Sequence, residues 1–347
     1  MRTLGAALTL AALAVVAPPV HAGILDWLEA HKPAQAAHGK RAPAPHDDAR
    51  LLTLEPHEQE LFPKAGPDGK HFLVWVHGRK ADRVDVRLLE NGDPVATAVD
   101  DEDARWGFFW WDADEVAFLS RRAGGLALWR KPALHPGLIA RVLALDGDYI
   151  LPQRAADGSV IAVRVRRERA APPPKDPFFS WRLPGAVQEI VRILPDGQTQ
   201  KLAEGLTPAV SPDGQWIAFA MPAGRSVHLF VMRADGSELA QLTSGRFVDV
   251  EPAWSADGRW IVFTSNRAGA HLRDLRKSSW DIWAVSRDGT KLVQLTKDPA
   301  RDGAPSVAPN GLVLFHSDRK VSPEEARKRD LKRAPRGFHI WAVRLPQ

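Results

Sequence analysis

The sequence predicts an all-β chain, a six-bladed β-propeller of four-stranded antiparallel blades closed by an N-terminal strand that completes the last blade. Three observations carry the prediction. A unit made of a Pro-containing apolar run, an Asp-Gly or Asn-Gly turn and an alternating apolar run recurs along the chain, as in "PAVSPDGQWIAF" (208–219), "PAWSADGRWIVF" (252–263) and "PSVAPNGLVLF" (305–315). Its turn residue returns with a period near that of one blade. A strand missing from the C-terminal unit has its counterpart near the N-terminus.

Taken in order, residues 1–22, "MRTLGAALTLAALAVVAPPVHA", have a basic start, an apolar stretch and small residues before Gly23, the build of a secretory signal peptide. The apolar stretch is short for a membrane span. The chain contains no cysteine, so it has neither a disulfide framework nor thiol chemistry, nor a cysteine to carry a lipid. A soluble periplasmic protein with no membrane span after cleavage is the expectation. Residues 23–48 read as a short apolar segment, "GILDWLEA", followed by a Pro- and Ala-rich linker. Residues 49–347 are the expected propeller.

In each unit an apolar run broken by a two-residue turn with glycine signals a hairpin. A second hairpin follows in "LFVMRADGSELAQLT" (229–243) and "IWAVSRDGTKLVQLT" (282–296), giving four strands per unit. Weaker copies stand upstream at 66–76, 109–120 and 155–165. The six turn markers Asp68, Asp112, Asp157, Asp213, Asp257 and Asn310 are 44, 45, 56, 44 and 53 residues apart, so the basal period matches a blade and the longer gaps measure insertions. The final unit stops after its third strand, "FHIWAVRLPQ". Residues 50–54, whose Leu-Leu-Thr stands fifteen residues before Asp68, close to the fourteen by which Gln-Leu-Thr precedes Asp257 and Asn310, supply the fourth and close the ring.

These repeats resemble the TolB-like β-propellers with their WD-repeat-like "PxWSPDGxxIAF" units, most strongly over 205–343. The resemblance covers the propeller part only, without the α/β domain that precedes it in TolB. It implies an adaptor that docks an envelope partner.

Three insertions, about 166–186, 265–279 and 317–337, fall in connections between second and third strands, which share one face of the disc with the blade-to-blade loops. Insertions gathered on one side of a repeat array mark a binding side. They carry five basic and two acidic, four and one, and eight and four side chains, more positive charge than the +5 of the whole chain, so the remainder is net negative. An arginine also follows the second strand of each blade: Arg79, Arg121, Arg166, Arg225, Arg267 and Arg319. Such a surface steers an acidic partner and grips carboxylates or phosphates with arginine forks. The alternative is that Ser-x-Arg belongs to the repeat, its arginines pairing with Asp249 and Asp302 to hold neighbouring blades. Glu55, Glu58, Glu60, Asp100, Asp101, Glu102 and Asp103 place acid on the same face. Most tryptophans, among them Trp75, Trp111, Trp216, Trp254, Trp260, Trp283 and Trp341, occupy strand positions and are expected to pack between blades, whereas Trp181 and Trp280 at the insertion edges are candidates for ligand contact.

The expected binding set is Trp181, Arg182, Arg267, Arg273, Arg276, Lys277, Arg319, Lys320, Arg327, Lys328, Arg329, Lys332 and Arg333. Its expected partner is an envelope protein or acidic envelope polymer rather than nucleic acid, bound by a monomer. No catalytic or metal motif is expected, and no cofactor. A Gly-x-Ser-x-Gly elbow is absent, and "HEQEL" (57–61) lacks the second histidine of a zinc protease. The competing reading is an enzyme, a lyase or hydrolase acting on acidic polysaccharide through His77, His316 and His271, all placed on the loop face.

Overall fold

A computed structural model of the chain describes residues 47–78, 81–101, 103–104, 107–167 and 175–346, so the expected signal peptide and nearly all of the 23–48 segment lie outside the described residues. Six four-stranded antiparallel sheets follow one another. Their first strands, innermost in the ring, are Gln59–Ala65, Phe108–Trp110, Asp148–Arg154, Leu206–Val210, Asp249–Trp254 and Asp302–Val307. Five blades use consecutive strands. The sixth runs Asp302–Val307, Leu312–Ser317, His339–Arg344 and then Arg50–Leu51 from the other end of the chain.

The first-turn chemistry is the same in every blade. Asp68, Asp112, Asp157, Asp213, Asp257 and Asn310 each accept a hydrogen bond from the backbone N–H two residues on, an Asx turn that leaves the next residues free to reverse the chain. Strand ends repeat as well. Thr243 Oγ1 accepts from Leu229 N at 2.9 Å and Thr296 Oγ1 from Ile282 N at 2.8 Å. Thr53 Oγ1 accepts from Ile340 N at 3.0 Å in the same way, which is why Leu-Thr marks a fourth strand even in a segment with only two paired residues.

Packing and charge then lock this short strand. Leu52 is buried with Phe72, Leu314 and Ile340 where blades one and six meet. Three residues earlier than the strand, Asp47 takes two hydrogen bonds from Arg319, at 2.7 and 2.9 Å. Burial works against the Arg319 charge, but its bonds to Asp47 and Asp302 prevail and raise its pKa above the ordinary arginine value.

The proline of the repeat has a specific role. Phe62, Leu151, Thr207, Glu251 and Ala304, each followed by proline, have φ between 46° and 56°, and the ladder to the second strand shifts register at each of these sites. Non-glycine residues rarely take positive φ, and a residue before proline normally stays extended, so each is a strained bulge. The bulge turns the N–H toward the preceding blade: Phe62 N donates to His316 Nδ1, Glu251 N to Thr207 Oγ1 and Ala304 N to Glu251 Oε2, at 3.3, 3.1 and 2.9 Å. Trp110 Nε1 and Trp254 Nε1 donate to the carbonyls of Lys64 and Ala209, also one blade back. Among the described residues no helix is long and apolar enough to cross a membrane.

Candidate functional site

The insertions emerge on one face, as expected, but part of their work is to close the ring's centre. In the blade-three insertion Asp176 accepts from Phe178 N and caps the 3-10 turn Pro177–Phe179. This turn directs Phe178 and Phe179 inward against Trp181, Trp280 and Phe338, with ring centroids 5.1–6.3 Å apart. Arg301 lies over Phe178 and Phe338 and pairs with Asp176 at 2.6 Å and Asp318 at 2.9 Å, tying the plug to blade six. Behind it runs a central channel of about 900 Å³, bounded by Ser180 and Trp181 at the plugged end and by first-turn residues such as Pro67, Pro212 and Pro309 at the other. Trp181 and Trp280 are therefore not loop aromatics held open for a ligand. Both are buried, because three insertions meet over the axis and supply a core for them.

The arginine ring divides into two classes. Asp249, Ser265 and Arg267 form a closed triad, with Ser265 Oγ donating to Asp249 and Arg267 pairing with the other carboxylate oxygen, each at 2.5 Å. Asp302, Ser317 and Arg319 repeat it at 2.6 Å. Asp101, Ser120 and Arg122 form the blade-two version, so the repeat residue there is Arg122 rather than Arg121, which reaches outward to Asp148. The triads tie the incoming first strand to the second strand within one blade, where the sequence reading expected them to hold neighbours. Burial in these pairs removes Arg267 and Arg319 from the exposed binding set. Arg79 and Glu102 lie outside the described residues.

Of the remaining expected residues, Arg329 donates to the carbonyl of Leu52 and holds the closing strand. Lys328 pairs with Glu324 and Glu325 within the short helix Pro323–Lys328, and Arg276 pairs with Asp274. Lys277, Lys320, Arg327, Lys332 and Arg333 are exposed but line neither concavity. The acidic sector is engaged internally: Glu58 pairs with Arg83, Glu55 with Arg87, and Glu60, fully buried, accepts from Thr53.

What the face does assemble is a groove of about 780 Å³ bordered by Trp181, Arg182, Arg225 and Arg273. The three arginines are exposed and have no ion pair or side-chain hydrogen bond among the described residues. Leu183, Leu206 and Val227 form an apolar floor, and Val187, 48% exposed, stands at the rim. Glu204, the one acid bordering the groove, is held by Lys201 at 3.0 Å.

The three histidines do not converge. His77 is half-exposed, stacked on Trp75 and bonded to Asp82, and His271 Nδ1 accepts from Asp274 N. His316 is buried against the plug, where desolvation, with smaller contributions from Arg301 and Lys64, pushes its pKa down to about 3. No group of three metal-ligating side chains occurs among the described residues.

Residues 197–272 match the TolB beta propeller domain family. Over these residues, which include the whole of blade four, the chain is similar to the TolB propeller domain. A TolB homolog of Chlorobium luteolum is 33% identical over 128 residues, 36% of this chain and 27% of that protein. The chain spans about a third or less of the length of the curated relatives it matches. A solved TolB candidate of Agrobacterium tumefaciens is similar at TM-score 0.54 and 17% identity, covering 84% of this chain and 91% of that one. An oligogalacturonate lyase of Vibrio parahaemolyticus is similar at TM-score 0.51 and 13% identity, over 87% and 96%. At such identities the likeness is one of fold alone.

Proposed function

We propose that this TolB-like propeller is a non-catalytic periplasmic binding protein or adaptor that takes an envelope protein or an acidic envelope component on its insertion-bearing face. The observation that carries the reading is the convergence of Arg182, Arg225 and Arg273, all without acidic partners among the described residues, around one apolar-floored groove. A guanidinium already paired has little left to offer a carboxylate or phosphate, whereas an exposed, unpaired fork keeps its bidentate geometry for a partner. The apolar floor adds area to bury once the partner is steered in.

The test is capture from envelope extract by the mature protein, with the captured component identified and its affinity measured at low and high salt. The charge-reversal variant Arg182→Glu, Arg225→Glu, Arg273→Glu is expected to lose capture, and wild-type affinity to fall as salt rises. Capture unchanged by the three reversals would overturn the reading.

A further inference from the structure

The channel opens on the opposite side from the arginine groove, and its chemistry differs. Its walls are apolar and aromatic, with Phe62, Phe108, Trp110 and Trp254 among them. The indole N–H groups of Trp110 and Trp254 are already bonded to neighbouring blades, so these two offer a passing molecule only ring surface. Most polar side chains along the wall are occupied too. Gln153 bonds Pro208 O and Val210 N, Thr207 accepts from Glu251 N, Ser306 accepts from Ala65 N, and Arg154 at the mouth donates to Trp111 O.

Two charged groups inside the channel stand apart from this pattern. Lys64 has no side-chain hydrogen bond or ion pair among the described residues. Glu251 uses Oε2 to accept from Ala304 N and Thr264 Oγ1, both at 2.9 Å, while Oε1 takes no bond among the described residues. Burial pushes the lysine pKa down and the glutamate pKa up, each offset in part by the charge of the other. An amine and a carboxylate oxygen, both on half-buried residues, thus face one largely apolar and aromatic chamber with no hydrogen-bond or ion-pair partner among the described residues.

We propose that the channel is a second binding site, reached from the first-turn face, for a small zwitterion of the amino-acid class carrying an aromatic or branched apolar side chain. Its carboxylate meets Lys64, its ammonium meets Glu251 Oε1, and its side chain lies on the aromatic wall. A simple carboxylate would set its charge against Glu251, and a simple amine would set its own against Lys64. Only a molecule with both charges satisfies the pair. The chamber lies within the size range of small-molecule pockets and is closed at one end by the plug, as a ligand site requires.

The test is calorimetric titration of the mature protein with L-phenylalanine, with 3-phenylpropionate (carboxylate only) and with phenethylamine (amine only). Phenylalanine is expected to bind at least about tenfold more tightly than either analogue. Lys64→Met should bring phenylalanine down to the level of phenethylamine, and the isosteric Glu251→Gln should bring it down to that of phenylpropionate. Thermal denaturation of both variants identifies any loss due to misfolding, and Lys64→Met, whose side chain makes no internal bond, is the decisive variant. Absence of phenylalanine binding at millimolar concentration, equal affinity for the three compounds, or a folded Lys64→Met protein that binds phenylalanine like wild type would each overturn the proposal.

Discussion

Arg319 and Arg225 both follow the second strand of a blade on the same face of the disc, yet one is buried between Asp47 and Asp302 and the other stands exposed over a groove. The difference lies in what precedes them. Blades five and six begin their first strand at an aspartate, blade two carries Asp101 in the connection ahead of its first strand, and all three end the second strand with serine two residues before arginine, so hydroxyl and guanidinium converge on one carboxylate. Blade four has Leu206 at the start and Pro222-Ala223-Gly224 before Arg225, with no acid to close the triad. The same residue type is therefore structural where its partner is built in and available for binding where it is not.

The largest effect expected from this contrast is Arg319→Met. It leaves Asp302 buried without its cation and releases Asp47, and should cost about 3–5 kcal/mol in denaturant unfolding, against less than about 0.5 kcal/mol for Arg225→Met. Equal costs would erase the distinction. Acid should act next, through the plug. His316 has a folded-state pKa of about 3 against an ordinary 6.5, so below 6.5 the unfolded chain binds a proton that the folded one does not. That contribution to stability is present above pH 6.5 and is lost as pH falls toward 3. His316→Asn should flatten the stability–pH slope in that window, and an unchanged slope would remove His316 from the acid response. Gly303→Ala should cost about 1–3 kcal/mol, because an added Cβ would lie 2.8 Å from Phe178 and 2.9 Å from His316, both held in the plug. Comparable in size is Thr53→Val, about 1–3 kcal/mol for the lost acceptor of Ile340 N and the lost donor to buried Glu60, with hydrogen exchange expected to rise first at the ring-closing strand.

Legibility in the sequence followed locality. The six turn markers and the Leu-Thr strand ends form hydrogen bonds to residues fixed by the repeat itself, so spacing alone located the blades and the borrowed strand. The proline was visible as part of the motif, but not the positive-φ residue before it, whose consequence is a bond to the preceding blade. In blade two, the Ser-x-Arg spacing from Ser120 points to Arg122, and counting from the strand end gave Arg121 instead. The plug could not be read from spacing, because Phe178 lies within one insertion and Trp280 and Phe338 directly follow the other two, with no common period among them. One signal existed: "DPFFSW" is an aromatic run inside a charged loop, a composition that asks for a buried partner. The groove was half legible, with Trp181, Arg182 and Arg273 in the expected set, while the clustering of these with Arg225 depended on which arginines the triads had already taken.

The most direct test sets partner affinity and melting temperature side by side for two variants, the groove variant Arg182→Glu, Arg225→Glu, Arg273→Glu and the triad variant Arg267→Met. The groove variant should lose at least about tenfold in affinity at an unchanged melting temperature, and the triad variant should melt earlier while the protein that remains folded binds as wild type does. A groove variant that binds normally, or a triad variant that loses affinity without losing stability, would contradict the division of the arginines on which the account depends.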